Sequence, residues 1–221
     1  MNARFVGAVM IMAGAILAGS LPVARAAESP VAGQIQTQAT AQAGPVQVVE
    51  RLHQGLIEAM KKGKKLGFDG RYKLLEPIVT GTYDIPYVAR LTLGSHWGAL
   101  DEAQRKRFIG LLGRYTTTNY AAEFDRYDGQ QFQTESQQSL QQGVESVKTR
   151  FTSGDGSKHH QFTYLLHRQE GAWRIINVVV DGVSDLSLKR SEYSQVMQSG
   201  GFQALAARLK ASIDKLAHRN E

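Results

Sequence analysis

Apolar positions recur at helical spacing from Pro45 to Lys62, where Val46, Val49, Leu52, Leu56 and Met60 fall on one face. Pro45 suits a first turn, Lys61 and Lys62 suit the negative end of the helix dipole, and Gly63 ends the run. A second helical stretch covers Asp69 to Thr82, with a kink expected near Pro77. Asp84 caps a short helix that carries Pro86 in its first turn and stops at Gly94. Asp101 and Gln104 have capping-box spacing, and Phe108, Leu111, Leu112, Tyr115 and Ala122 form the stripe of the helix that follows, opposite Arg105, Lys106 and Arg114.

After Asp128-Gly129 the period changes from helical to alternating. Gln131 to Glu135 is a weak strand. Val147, Thr149 and Phe151 alternate with Lys148 and Arg150. Gly154-Asp155-Gly156 carries a hairpin turn signal, Phe162, Tyr164 and Leu166 alternate next, and Gly171 marks another turn. Trp173 to Val180 is apolar on both faces: Trp173, Ile175, Asn177 and Val179 are expected on one, Arg174, Ile176, Val178 and Val180 on the other. A strand apolar on both sides is covered on both, by helix or by a bound apolar molecule. Two helices close the chain, around Leu188 to Gln198 and from Phe202 to Leu216. Helices, sheet, helices is an α+β pattern: a curved antiparallel sheet of about four strands, packed against several helices.

The N-terminus has a different logic. Arg4, the uncharged stretch Phe5 to Leu21, Pro22 and Ala24-Arg25-Ala26 have the three parts of a secretory signal, so residues 1–26 are expected to be a cleaved signal peptide. An uncleaved anchor is the alternative, weakened by Gly7, Gly14, Gly19 and Ser20. Export places the protein in the periplasm of a Gram-negative source. Residues 27–44, rich in Ala, Gln, Thr and Gly and without aromatics, read as a flexible tether, and 45–221 as a single domain.

Composition narrows the chemistry. The 221 residues are 42% hydrophobic and 21% charged, as in ordinary globular chains. The absence of cysteine excludes disulfides, thiolate metal sites, a cysteine nucleophile and a lipid-anchored N-terminus. Net charge is +6; without Arg4 and Arg25 the mature chain keeps 24 basic residues against 20 acidic. There is no nucleophile elbow, zinc-protease helix, P-loop or dinucleotide fingerprint. His159 and His160 are adjacent on a strand and point apart, so they do not share a metal. His53, His96, His167 and His218 read as surface or packing residues. The run Lys61, Lys62, Lys64, Lys65 lacks interleaved aromatics and does not indicate nucleic acid; a helix end or a membrane-facing patch fits it better.

One resemblance draws these pieces together. Asp84-Ile85-Pro86-Tyr87-Val88-Ala89-Arg90-Leu91-Thr92-Leu93-Gly94-Ser95-His96-Trp97, then Glu102 to Phe108, resembles the A-R-x-x-L-G-x-x-W … E-Q-R-x-x-F pattern of the MlaC family of periplasmic phospholipid-binding proteins, also called toluene-tolerance auxiliary proteins. Gly171 to Val178, Asp181 to Ser184, Arg190 to Tyr193 and Gly200 to Leu209 follow in matching order. Leu66 to Tyr72 is closer to the hopanoid-associated, HpnM-type branch. The resemblance implies a carrier without catalysis, cofactor or metal, with an apolar cavity between the curved sheet and the helices that holds acyl chains. It implies a phospholipid or hopanoid cargo passed between an outer-membrane lipoprotein complex and an inner-membrane ABC transporter bearing an MCE domain.

The cavity wall is expected from Val147, Phe151, Phe162, Tyr164, Leu166, Trp173, Ile175 and Val179 on strands and from Leu93, Phe108, Leu111, Leu112 and Tyr115 on helices, with Trp97 near the mouth. The same residues would serve as a solid core. A ligand-free interaction adaptor is an alternative reading. A small cone-fold isomerase or dehydratase is a more distant one, needing Asp181 with Tyr164 or His167 in the cavity.

Overall fold

Residues 43–219 are described by a computed structural model; the expected signal peptide and all but the end of the expected tether lie outside them. Four helices come first: α1 (Pro45–Lys61), α2 (Gly63–Thr82), α3 (Ile85–Leu93) and, after a short 3-10 turn over Gly94–Ala99, α4 (Glu102–Glu123). The capping logic holds in detail. Asp84 Oδ1 accepts from the Tyr87 amide at 2.9 Å, and Asp101 and Gln104 form a reciprocal capping box.

The kink in α2 is not at Pro77. Pro77 continues the helix, and the break is at Gly67, whose φ of 62° and ψ of −172° are open essentially to glycine alone. Past that break the helix covers the expected Asp69–Thr82, and a short helical turn from Gly63 precedes it.

The sheet is antiparallel and runs in sequence order: β1 (Gln131–Ser139), β2 (Glu145–Thr152), β3 (His159–Gln169), β4 (Ala172–Val180) and a two-residue β5 (Val183–Ser184). Four of these strands were expected, and β5 is an addition. β1 outruns its expected end at Glu135. α5 (Asp185–Ala217) joins the two expected terminal helices, with a break at Gly201 (φ 65°, ψ −165°).

One expectation for β4 is overturned. Leu165 pairs with Asn177 but Leu166 pairs with Ile175, so Ile176 is an extra residue, a β-bulge. Cross-strand partners share a face. Ile175 and Trp173 therefore lie on the inner face with Leu166, but past the bulge it is Val178 and Val180 that join Tyr164 and Phe162 there. Val179, paired with Thr163, lies on the outer face and is no part of an inner wall.

α1 packs on β1, β2 and β4, α5 on β4, and the helices pack on one another as α1–α2, α2–α4, α3–α5 and α4–α5. The α2–α3 junction is sewn to the sheet. Tyr83 bridges Ile175, the Asp84 amide donates to the Ile175 carbonyl at 3.0 Å, and Asp84 Oδ2 meets His167 Nε2 at 2.8 Å. Among the described residues no helix is long and apolar enough to cross a membrane.

Candidate lipid-binding cleft

The inner face of the sheet is aromatic at one end. Phe132 on β1, Phe151 on β2 and Phe162 on β3 are neighbours, with Phe132–Phe151 ring centres 4.9 Å apart and Phe132–Phe162 6.1 Å apart. Phe124, just after α4, closes on Phe132 at 6.1 Å. Phe162 stacks on Tyr164. Val147, Thr149, Leu166 and Ile175 on the same face are fully buried.

The structure brings most of the sequence-predicted wall into one cluster. Leu93, Phe108, Leu111, Leu112, Val147, Phe151, Phe162, Tyr164, Leu166 and Ile175 are buried together, and Trp97, Tyr115 and Trp173 pack against them partly exposed. Val179 stands apart on the other face. Packed this closely, these side chains form the core of the domain.

The open space lies beside that core, where α1 meets the β1 edge of the sheet. A cavity of about 730 Å³ is bounded by Glu50, His53, Gln54, Ile57, Glu58, Lys61 and Lys62 from α1 and the following residue, and by Gln130, Gln131, Phe132 and Thr134 from β1 and its approach. Its inner wall is apolar through Ile57 and Phe132, and its rim is charged. Lys61 Nζ sits 5.1 Å from the Tyr127 ring, and Lys62 pairs with Glu58 at 2.6 Å. A second cavity of about 510 Å³ lies at the α1–α2 corner, among Lys64, Leu66, Phe68, Asp69, Arg71 and Asp125.

His53 joins the cleft to the core. It is 5% exposed, stacks on Phe132 with ring centres 4.0 Å apart and planes 5° apart, and places Nε2 3.0 Å from Tyr164 Oη. Burial lowers its pKa from 6.5 to about 3, so the ring is neutral. Burial likewise pushes the Tyr164 phenol well above its ordinary value. Deeper in, the Tyr83 and Tyr120 hydroxyls bond to each other, both raised first by desolvation.

The sequence marked His53 only as a surface or packing residue and assigned no role to Ile57 or Phe132. The signal was present: His53 falls on the apolar stripe between Val49 and Leu56, and Phe132 is the one aromatic in a strand of Gln, Thr, Glu and Ser. The Lys61–Lys62 pair, read as a helix end, is also cleft rim.

The residues an enzyme would need are dispersed. Asp181 is in an exposed turn, 2.7 Å from His160 Nδ1. His167 is held by Asp84, and Tyr164 by His53. His159 Nδ1 meets Thr152 Oγ1 at 3.1 Å, away from the His160 pair. Among the described residues no group of three or more His, Asp or Glu is placed to hold a metal.

Two comparisons bear on this geometry. The sequence model of the family described as MlaC protein matches residues 50–211. Among solved structures, the phospholipid-binding protein from Ralstonia solanacearum in complex with a phospholipid superposes with a TM-score of 0.67 at 14% sequence identity, over 77% of this chain and 97% of that one. At that identity the likeness is one of fold.

Proposed function

The chain belongs to the MlaC family, and from that premise we propose that it is a periplasmic lipid carrier that takes the acyl part of a membrane lipid into the α1–β1 cleft. The observation that carries the reading is the cleft itself. It has about 730 Å³ of open space with Ile57 and Phe132 on its inner wall, continuous through His53 with the buried aromatic cluster. That volume is in the ~300–1,000 Å³ range of small-molecule sites. The Ralstonia solanacearum protein of the same fold was solved with a phospholipid, which makes a phospholipid the first candidate cargo. A hopanoid is the second, on the resemblance of Leu66 to Tyr72.

The physical need for such a carrier is plain. Roughly 30 methylenes on a two-chain lipid, at about 0.8 kcal/mol each, make exposure of the tails to water cost on the order of 20 kcal/mol. A protein that covers the tails and leaves the headgroup at a charged rim removes most of that barrier without any catalytic group. Delivery runs between an outer-membrane lipoprotein complex and an inner-membrane ABC transporter with an MCE domain, and the net positive charge speeds encounter with anionic surfaces.

Native mass spectrometry tests the cargo. Protein exported in a Gram-negative host is expected to carry an adduct of lipid mass, which organic extraction identifies as phospholipid or hopanoid. Ile57→Glu, at a partly exposed wall position, is expected to lose the adduct while keeping the wild-type circular dichroism spectrum. Wild-type protein that stays adduct-free after incubation with vesicles of both lipids ends the carrier reading.

A further inference from the structure

Resting on the carrier reading, we propose that the cleft reads the linkage region of its lipid: the Thr149 hydroxyl donates to an ester carbonyl oxygen, so that the ligand class is an ester-linked glycerolipid and not any apolar chain of the right length. The argument starts from an unmet bond. Thr149 is fully buried, and its Oγ1 has no hydrogen-bond partner among the described residues. A buried hydroxyl left without a partner is destabilising, and native folds keep few of them.

The sheet register locates this hydroxyl. Thr149 pairs with Thr134 on β1 and with Phe162 on β3, so all three share the inner face. One step along, Phe132 pairs with Phe151; one step the other way, Tyr164 pairs with Val147. His53 stacks on Phe132 and hydrogen-bonds to Tyr164. Its ring therefore lies across the row that holds Thr134 and Thr149, covering it from the helix side. His53, Phe132 and Thr134 are themselves cleft wall. The unpaired hydroxyl thus sits one side chain behind the cleft, under a neutral histidine. The Phe151, Phe162 and Val147 side chains that flank it on this face are apolar, and neither Thr134 opposite it nor any other described group bonds to its Oγ1.

A bound lipid supplies what is missing. With a headgroup at Lys61 and Lys62 and the tails led past Ile57 into the aromatic cluster, the atoms level with His53 are the glycerol esters. Their carbonyl oxygens accept hydrogen bonds, which ether oxygens do poorly and hydrocarbons not at all. His53 acts here as a positioning residue, shaping the passage to Thr149.

The test is a competition read by native mass spectrometry of the full chain. A diester phosphatidylglycerol and its diether analogue, of equal chain length and the same headgroup, are offered at equal concentration in mixed micelles. The diester adduct is expected to exceed the diether about tenfold, the net worth of one well-formed hydrogen bond. Thr149→Val, nearly the same shape, is expected to bring the ratio close to one by lowering the diester adduct to the level of the diether, and Thr149→Ser to restore the preference. Equal adducts in the wild type, as a water already bound to Thr149 would give, overturn this inference alone. So does a preference that survives Thr149→Val, or one that Thr149→Ser does not restore. Failure of both lipids to bind overturns the carrier reading with it.

Discussion

His53 shows how much one side chain is asked to do when it stands between a core and a cleft. Its ring is held by Phe132 and Tyr164, which carry no charge to stabilise an imidazolium. The charged groups of the neighbourhood, Glu50, Glu58, Lys61 and Lys62, are at the cleft around it. Its folded-state pKa of about 3 lies below the ordinary 6.5, so the unfolded chain takes up the proton first as pH falls. The stability tied to a neutral His53 is complete above pH 6.5. It declines between there and pH 3, by about 1.4 kcal/mol per unit. His53→Leu is therefore expected to narrow the gap between urea midpoints at pH 7 and pH 4.5; an unchanged gap would place the ring in contact with water. Residue-scale reasoning also separates two kinds of apolar position. Ile175 is fully buried against Tyr83, so a charge there unfolds the protein, whereas Ile57 can take one and report on the ligand.

Helices were legible in the sequence through their ends, because caps are local chemistry: Asp84, Asp101 and Gln104 act where their spacing says they should. Breaks and bulges were less so. Pro77 advertises a kink that its neighbours absorb, while the real one is at Gly67, which looks innocuous until its backbone is seen. Strict alternation carried β4 correctly to Ile175 and then failed, because nothing in Trp-Arg-Ile-Ile-Asn-Val-Val-Val marks Ile176 as the residue without a partner; Val179 was misplaced for that reason alone. The cleft was missed similarly. Apolar stripes point to what is packed, and a cleft wall of His53, Ile57, Phe132 and Thr134 is mixed. Two tests belong at this scale. Gly201→Ala is expected to cost about 1–3 kcal/mol, read as a lowered Tm, since its conformation disfavours any Cβ although a Cβ there would touch nothing within 4 Å. Asp84→Ala removes both the α3 cap and the partner of His167, and is expected to cost roughly 2–4 kcal/mol in denaturant titration; Asp84→Asn, which keeps an acceptor for the Tyr87 amide, should cost less.

Across the whole molecule the division of labour is spatial. The helices and the middle of the sheet make a solid core, and the α1–β1 seam at the sheet's open side carries the cleft. That arrangement lets a ligand enter or leave by moving a few side chains at a margin, without opening the core. Hydrogen exchange checks it: lipid loading is expected to slow the amides of β1, β2 and the facing part of α1 and to leave β4 nearly unchanged. Uniform slowing across the sheet would put the ligand in the centre instead.

The position of β1 has one more consequence. Its nine residues form the last strand on that side of the sheet, and they also line the seam, so its backbone looks outward while Phe132 and Thr134 look in. On the carrier reading, filling the inside would tighten the outside, and a docking protein that grips only this margin would tell a full carrier from an empty one without ever touching the cargo.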